Sequence, residues 1–180
     1  MDIIKPGYTR ISEIISRYSG YDKIPPDILQ AACDRGTAVH EIIDAIISGI
    51  GYPEIPDNLR GYIESFYGWY ADRISMEFTM PDRWYADAAM ITGKCDCLIK
   101  LPNGFTTLVD FKTSAKLNKT WKIQGGGYHF LADCNNVVIN EIEFVKLDKS
   151  GDPAESFLYR PHDAAKLFTC ALEMHKYLSE

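Results

Sequence analysis

Two aspartates lie inside stretches of sequence that otherwise have the composition of buried β-strands. Asp96 stands between Cys95 and Cys97 in an apolar run, and Asp110 ends another. A buried carboxylate without a compensating charge is strongly destabilising, so a cation is expected beside each of them. Lys112 follows Asp110 by two residues, and alternate residues of a strand point to the same face. Two acids and a lysine at one place predict a site for a hard cation with a catalytic amine beside it.

A long helical pattern upstream contains a second group of residues capable of chemistry. His40 lies among apolar residues, and Glu41 next to it faces another direction. Taken alone, His40 is more simply a buried core histidine than a metal ligand. Gly36 inside a helix is destabilising by about 1 kcal/mol relative to alanine, so a close approach to the backbone is expected there. Arg35 and Lys94, taken alone, are solvated surface charges.

A third group follows the second aspartate. Gln124 and Tyr128 are one helical turn apart, and Trp121 and Lys122 precede them. An amide, a phenol and an indole near a phosphate site suit contact with a nucleic-acid backbone and stacking on bases. The alternative is that the helix packs Trp121 and Tyr128 into the core. Three consecutive glycines at 125–127 indicate that the sheet or a ligand lies close, or that the helix is interrupted.

The elements that must position these residues follow from the periodicity of the apolar residues. Helices are predicted at 9–18, 27–48, 57–73, 119–133 and 161–178, and strands at 74–80, 84–92, 94–101, 105–113, 137–147 and 155–159. Asn103-Gly104 predicts a hairpin, which makes the strands of Asp96 and Asp110 neighbours. We therefore expect one domain over 1–180, of the α+β class, with a central mixed β-sheet flanked by helices in an α/β/α arrangement.

Charge and composition limit the classes of function. The net charge of −6 and the pI near 5.2 argue against a protein that coats nucleic acid by bulk charge. A local basic groove remains compatible with it, since four lysines lie in one short stretch with Arg35 and Lys94 elsewhere. These lysines are Lys112, Lys116, Lys119 and Lys122. The alternative is a charged, solvated loop.

The cysteines and the N-terminus indicate a reducing cytoplasm. The five cysteines are odd in number, and the first residues lack the apolar segment of a signal peptide. Cys95 and Cys97 are poorly spaced for zinc and are expected to pack together on the other face of the strand from Asp96. No apolar run approaches the length of a membrane span, so no membrane partner is expected.

Together the motifs resemble the PD-(D/E)XK nuclease superfamily, in its RecB-type and lambda-exonuclease-like branch. The resemblance covers roughly residues 35–130. Each motif is weak alone, but five in the right order are a strong pattern. The matches are Gly36 with His40-Glu41, Glu77, Gly93 with Asp96, Asp110-Phe111-Lys112-Thr113, and Gln124 with Tyr128.

The resemblance implies a restriction-endonuclease-like fold and a role for each matching residue. His40, Asp96, Asp110 and the carbonyl of Phe111 would bind one or two Mg²⁺ or Mn²⁺ ions. Lys112 would be the catalytic lysine, and Glu77 a metal- or water-linked acid at the edge of the site. The residues that would contact DNA are Arg35, Lys116, Lys119, Trp121, Lys122, Gln124 and Tyr128.

The implied activity is that of a metal-dependent DNA nuclease, an exonuclease rather than an endonuclease, acting in recombination, repair or phage replication. A metal-activated water would attack the phosphodiester in line, without a covalent intermediate. The alternatives are a structure-specific or restriction-like endonuclease and a non-catalytic DNA-binding module. Related nucleases that carry an iron–sulfur cluster use one cysteine before the histidine motif, which Cys33 could match, and three clustered near the C-terminus. Here only Cys134 and Cys170 follow the motifs, so no cluster is expected. Strand preference, oligomeric state and a replication or recombination partner are left open.

Overall fold

A computed structural model describes residues 4–51 and 53–179 and shows a mixed α+β fold. Its helices are α1 (Ile11–Ser19), α2 (Pro26–Ile47), α3 (Arg60–Ala71), α4 (Thr120–Cys134) and α5 (Pro161–Tyr177). Its strands are β1 (Thr9–Arg10), β2 (Glu77–Thr79), β3 (Trp84–Ala86), β4 (Ile91–Gly93), β5 (Cys97–Lys100), β6 (Thr106–Lys112), β7 (Glu141–Lys146) and β8 (Glu155–Tyr159). The positions of the five helices agree with the periodicity to within a few residues.

The strands form two mixed sheets rather than the single sheet expected. The larger sheet has the order β2-β5-β6-β7-β8 within the described residues, with β6 and β7 parallel and its other neighbours antiparallel. The smaller has the order β1-β4-β3, with β1 parallel to β4. The Asn103-Gly104 hairpin is confirmed, since it joins the antiparallel strands β5 and β6 and Gly104 has φ +84°.

The segment 84–92 is not one strand. A short 3₁₀ turn at Asp87–Ala89 and Met90 with φ 53° separate β3 from β4, which pair antiparallel. Apolar residues continue through the turn at 88–90, and Ala86 and Ile91 on either side of it are both buried. The sequence pattern therefore conceals a hairpin.

A bend at Asp96 separates β4 from β5, so residues 94–101 are not a continuous strand either. Cys95 packs with the core beside α1, α4 and α5, whereas Cys97 packs with the core beside α2 and α3. The expectation that both thiols share one face is wrong, because the bend rotates the chain between them. Both are buried, and all five cysteines are free thiols.

Helices cover both faces of the larger sheet. Leu108, Ile142 and Phe144 point to α1, α4 and α5. Val109 and Phe111, from alternate positions of β6, point to α2 and α3. Asp110 and Lys112 share the α4 side with Leu108. In the described part of the chain, no helix has both the length and the apolar character needed to cross a membrane.

The three glycines of α4 allow the helix to lie very close to its neighbours. A Cβ on Gly126 would lie 2.0 Å from the main-chain oxygen of Ala164 in α5, an impossible contact. A Cβ on Gly125 would lie 2.8 Å from Ile142, and one on Gly127 would lie 2.9 Å from Phe168. The helix continues without interruption. Of the alternatives, close packing on the sheet and on α5 accounts for the run.

Candidate functional site

The two aspartates meet where β5 begins and β6 ends. Cys97 pairs with Val109 in the antiparallel ladder, so Asp96 and Asp110 are the next residues beyond that pair. Instead of continuing the ladder through its backbone, Asp96 accepts the hydrogen bond from the backbone N–H of Phe111 at 2.6 Å from Oδ2. The side chain of Asp96 thus provides the acceptor that the backbone of a longer β5 would otherwise provide. Its carboxylate is fixed against the backbone of β6.

His40 reaches this carboxylate from α2. Its Nδ1 lies 3.1 Å from Oδ1 of Asp96, and its Nε2 lies 2.9 Å from the carbonyl oxygen of Phe111. A carboxylate and a carbonyl both accept hydrogen bonds, so both ring nitrogens donate and the imidazole is protonated. Burial acts to lower the pKa of His40, but the charge and hydrogen bond of Asp96, together with the charge of Asp110, outweigh it and raise that pKa to about 9.

Lys112 links the second aspartate to α4. Its ammonium forms an ion pair with Asp110 and donates a hydrogen bond to Oε1 of Gln124 at 3.0 Å. Nε2 of Gln124 in turn donates to the phenol oxygen of Tyr128 at 2.8 Å. The ammonium also lies 5.2 Å from the ring centre of Phe144. The spacing prediction that Asp110 and Lys112 share a face agrees with this contact, and Gln124 gives the lysine a second contact.

The two carboxylates have opposite pKa shifts. Burial raises the pKa of Asp110, whose residue is 2% exposed, and the nearby ammonium of Lys112 only partly offsets it. Burial acts in the same direction on Asp96, but His40 and Lys112 outweigh it, so the pKa of Asp96 is lowered. Two acids are therefore balanced by two protein cations in a confined space, with one acid held more firmly in its ionised form than the other.

Asp44 is a residue that the sequence interpretation missed. It stands one turn beyond His40 on α2 and interacts electrostatically with Lys94, Asp96 and His40. Burial raises its pKa, and Lys94 acts in the opposite direction. The spacing of four residues from His40 could have indicated that both side chains share a helix face.

Glu77 is not brought to this cluster. It is exposed on β2, an edge strand of the larger sheet within the described residues, where it pairs with Lys100. Lys100 is four residues along β5 from Asp96, which corresponds to about 13 Å of strand. The geometry favours Asp44 over Glu77 as the further acid beside the two aspartates.

Trp121 belongs to the core and not to a surface that could stack on bases. It is 3% exposed, and its ring stacks on Phe144 with centres 5.8 Å apart. Phe157 contacts it edge-on at 5.8 Å. Of the two interpretations of this indole, packing into the core is the one that agrees with the structure.

The basic residues predicted to contact DNA differ in their exposure. Lys116 and Lys119 are exposed in the loop between β6 and α4, and Lys122 is half-buried in the first turn of α4. Arg35 is half-buried, with its guanidinium 5.8 Å from the ring centre of Tyr62. The close approach expected at Gly36 is absent, because a Cβ there would meet the hydroxyl of Thr113 at an ordinary 3.7 Å.

The donor chemistry at this place fits a hard divalent cation, although the protein's own cations now lie against the acids. Oδ1 of Asp110 is buried and, apart from its ion pair with Lys112, has no hydrogen-bond partner. Carboxylate and carbonyl oxygens are the ligands that Mg²⁺ prefers. Within residues 4–51 and 53–179, no three His, Cys, Asp or Glu side chains are arranged to hold a metal ion together. His40 and Lys112 would have to yield part of their contacts to such an ion.

Comparisons with known proteins support the fold alone. No family model matches the sequence, and no curated protein matches it. Among solved structures, the chain is similar to one titled "Crystal structure of SSO0001", with a TM-score of 0.51 and 14% sequence identity. The similarity covers 98% of this chain and 78% of that one.

Proposed function

We propose that this protein is a metal-dependent DNA nuclease with a restriction-endonuclease-like fold that hydrolyses phosphodiester bonds from DNA ends. The observation that carries the proposal is the junction of β5 and β6, where Asp96 and Asp110 meet with His40 on one side and Lys112 on the other. Three of the five weak motifs contribute His40, Asp96, Asp110 and Lys112 to this one place, and a fourth contributes Gln124.

The cofactor proposed is Mg²⁺ or Mn²⁺. Asp96, Asp110 and the carbonyl of Phe111 would hold it, with His40 as a nitrogen ligand. Two acids whose charges are balanced only by a histidine and a lysine form a site in which a divalent ion can take over that balance. When bound, such an ion polarises a phosphoryl oxygen and lowers the pKa of a coordinated water.

The lysine is placed to act on the phosphate. Its ammonium is held between Asp110 and Gln124, so its position is fixed by two contacts. A positioned cation stabilises the negative charge that develops on a phosphoryl group during hydrolysis. Gln124 and Tyr128 orient the lysine, and they do so from α4, a helix fixed by its close packing on α5.

DNA is the substrate that the surrounding charge favours. Residues 111–132 contain no Asp or Glu and four lysines, in a chain with 25 acidic residues. This stretch connects Lys112 to the start of α4 and therefore borders the site. Neutralisation of a few backbone phosphates by lysines is the sequence-independent part of binding to DNA.

The test is digestion of end-labelled linear DNA, single- and double-stranded, with Mg²⁺ or Mn²⁺ against EDTA. We expect cleavage that depends on the metal and falls about 100-fold or more in Lys112→Ala, because a positioned acid–base or charge-stabilising group contributes that much. Asp110→Asn should be comparably impaired. Lys100→Ala, on the exposed end of β5, is the control variant that should cleave normally.

Covalently closed circular DNA separates the alternatives. An exonuclease leaves it intact, whereas a structure-specific or restriction-like endonuclease opens it. Equal cleavage by wild type and Lys112→Ala would contradict the mechanism. DNA binding unaffected by chelator, with no cleavage under any of these conditions, would identify a non-catalytic binding module instead.

A further inference from the structure

Two tyrosines are exposed where α1 ends, next to the loop that carries Lys116 and Lys119. Tyr18 is in the last turn of α1 and Tyr21 follows the chain reversal at Gly20, which has φ +72°. Each is 43% exposed, far more than a packed aromatic side chain. We use the name corner surface for Tyr18 and Tyr21 together with the loop residues Lys116, Leu117 and Lys119.

A hydrogen bond joins the end of α1 to this loop. The side-chain amide of Asn118 donates to the carbonyl oxygen of Ser19 at 3.4 Å, between the two tyrosines in sequence. The same side chain of Asn118 accepts hydrogen bonds from the backbone N–H and the hydroxyl of Thr120, at 2.9 and 2.8 Å. Asn118 thus fixes the end of α1 to the start of α4, the helix that carries Gln124.

Local hydrogen bonds also fix the backbone at the end of α1. The hydroxyl of Ser19 donates to the carbonyl oxygen of Ser16 at 2.6 Å and accepts the backbone N–H of Tyr21 at 3.2 Å. Two exposed aromatic side chains are therefore presented from a fixed backbone. This is a lower-entropy arrangement than two rings on a flexible loop.

Charge favours an anionic ligand at this place. Lys116 and Lys119 are exposed and belong to the stretch without acidic residues, and Leu117 between them is 49% exposed. Around the two tyrosines, residues 17–23 contain two cations, Arg17 and Lys23, and one acid, Asp22. Exposed aromatic rings beside several cations are the combination that binds single strands, through stacking of bases and neutralisation of phosphates.

We propose that the corner surface binds the single-stranded portion of a DNA substrate and guides it toward the junction of β5 and β6. The inference rests on the proposed nuclease function and deepens it, since it names a single-stranded end as the preferred substrate. Bases stack on Tyr18 and Tyr21, and the phosphates between them and the site contact Lys116 and Lys119. A blunt duplex has no unpaired bases for the tyrosines.

The test is the binding of a short fluorescein-labelled oligothymidine to the full chain in EDTA, measured by fluorescence anisotropy. We expect Tyr18→Ala and Tyr21→Ala each to weaken binding about five- to tenfold, because loss of one stacked base has an effect of this order. Tyr18→Phe and Tyr21→Phe should bind within about twofold of wild type, since phenylalanine retains the ring. Lys116→Ala and Lys119→Ala should each reduce the dependence of log affinity on log salt by about 0.7.

Tyr177→Ala is the matched control, because Tyr177 is 73% exposed on α5, outside the corner surface. Normal oligothymidine binding by the Tyr18→Ala and Tyr21→Ala variants, or an equal loss in Tyr177→Ala, would overturn the proposal. An equal loss on blunt duplex would overturn it as well. Binding is measured without a metal ion, so it is tested separately from cleavage. Binding through the tyrosines without any cleavage of DNA would support the corner surface and contradict the proposed nuclease activity.

Discussion

His40 is a positively charged residue in an apolar stretch of α2. Its apolar neighbours are typical of a core histidine, and Val39, Ile42 and Ile43 beside it are indeed buried. Yet both of its ring nitrogens contact acceptors, which makes it a cation. The charge pairs with Asp96, and no local pattern within α2 could indicate that partner.

The first prediction concerns the titration of His40 in metal-free protein. We expect its imidazole resonances to titrate with a pKa of about 9, well above the ordinary 6.5, as measured by NMR. In Asp96→Asn the pKa should fall well below 9, since burial is then opposed by the charge of Asp110 alone. An unchanged pKa in that variant would contradict the ion pair.

The same shift has a consequence for stability. The folded-state pKa is raised above the unfolded value, so the stabilisation is fully present below about pH 6.5 and is lost as pH rises through about 9. Urea denaturation of EDTA-treated protein should therefore show a fall in unfolding free energy across this window. His40→Gln, which cannot titrate, is the control and should show a smaller fall.

The second prediction compares the two acids outside the central pair. Asp44→Asn should reduce metal-dependent cleavage about tenfold, because Asp44 contributes to the potential at His40 and Asp96. Glu77→Gln should stay within about twofold of wild type, because Glu77 is exposed opposite Lys100. The measurement is the cleavage rate of end-labelled linear DNA at fixed Mg²⁺. The reverse order of effects would restore Glu77 to the site.

At the residue scale, local spacing succeeded where two residues share one element. The pairs Asp110 with Lys112 and Gln124 with Tyr128 follow directly from strand and helix periods. Spacing failed for Trp121, since the choice between core and surface depends on Phe144 and Phe157, which lie far away in sequence. It also failed for Glu77, whose distance from Asp96 depends on the pairing register.

At the scale of elements, α4 both packs closely on its neighbours and positions Lys112. Its glycine run lies against β7, α5 and α1, and its adjacent polar residue Gln124 holds the lysine. The run is therefore a structural requirement rather than a weakness in the helix. Glycine propensity alone predicts the opposite.

The third prediction follows from this close packing. Gly126→Ala should destabilise the protein by about 3 kcal/mol or more, because its Cβ would overlap the backbone of α5. The overlapping atoms belong to the main chain, so no side chain can rotate to relieve the contact. Gly36→Ala is the matched control in another helix, with ordinary contact at its Cβ, and should be neutral or stabilising by up to about 1 kcal/mol. Chemical denaturation measures both, and equal effects would contradict the packing.

The periodicity was sufficient to locate all five helices and the β5–β6 hairpin, because these depend on local apolar spacing and on Asn103-Gly104. It was insufficient for the second sheet. A turn at Met90 and a bend at Asp96 interrupt runs that remain apolar, so the strands appear longer than they are. Assignment of β4 to β1 and β3 is decided by tertiary pairing, which no single window of sequence contains.

For the whole molecule, the charge distribution separates a net acidic surface from a lysine-rich stretch beside the site. The net charge of −6 would oppose an approaching polyanion, whereas residues 111–132 attract it locally. We therefore expect binding to be oriented by one side of the molecule. The two acids at the centre should be a further source of affinity, for cations.

The fourth prediction concerns stabilisation by the metal ion. Mg²⁺ at about 100 times its Kd should stabilise the folded protein by about 2.7 kcal/mol and raise its Tm by about 5–10 °C. The double variant Asp96→Asn, Asp110→Asn should show no such rise, and NaCl at matched ionic strength controls for screening. Differential scanning fluorimetry checks both. A rise of the same size in the double variant would contradict the cation site.

The glycine run of α4 also makes this protein a good source of conditional variants. A slightly larger residue at 125, 126 or 127 leaves every proposed ligand and the lysine unchanged in sequence, but it pushes α4 away from its neighbours. Activity should then disappear on warming before the ligands themselves are altered, because Gln124 moves with the helix. A genetic screen for temperature-sensitive alleles should accumulate substitutions at these three codons.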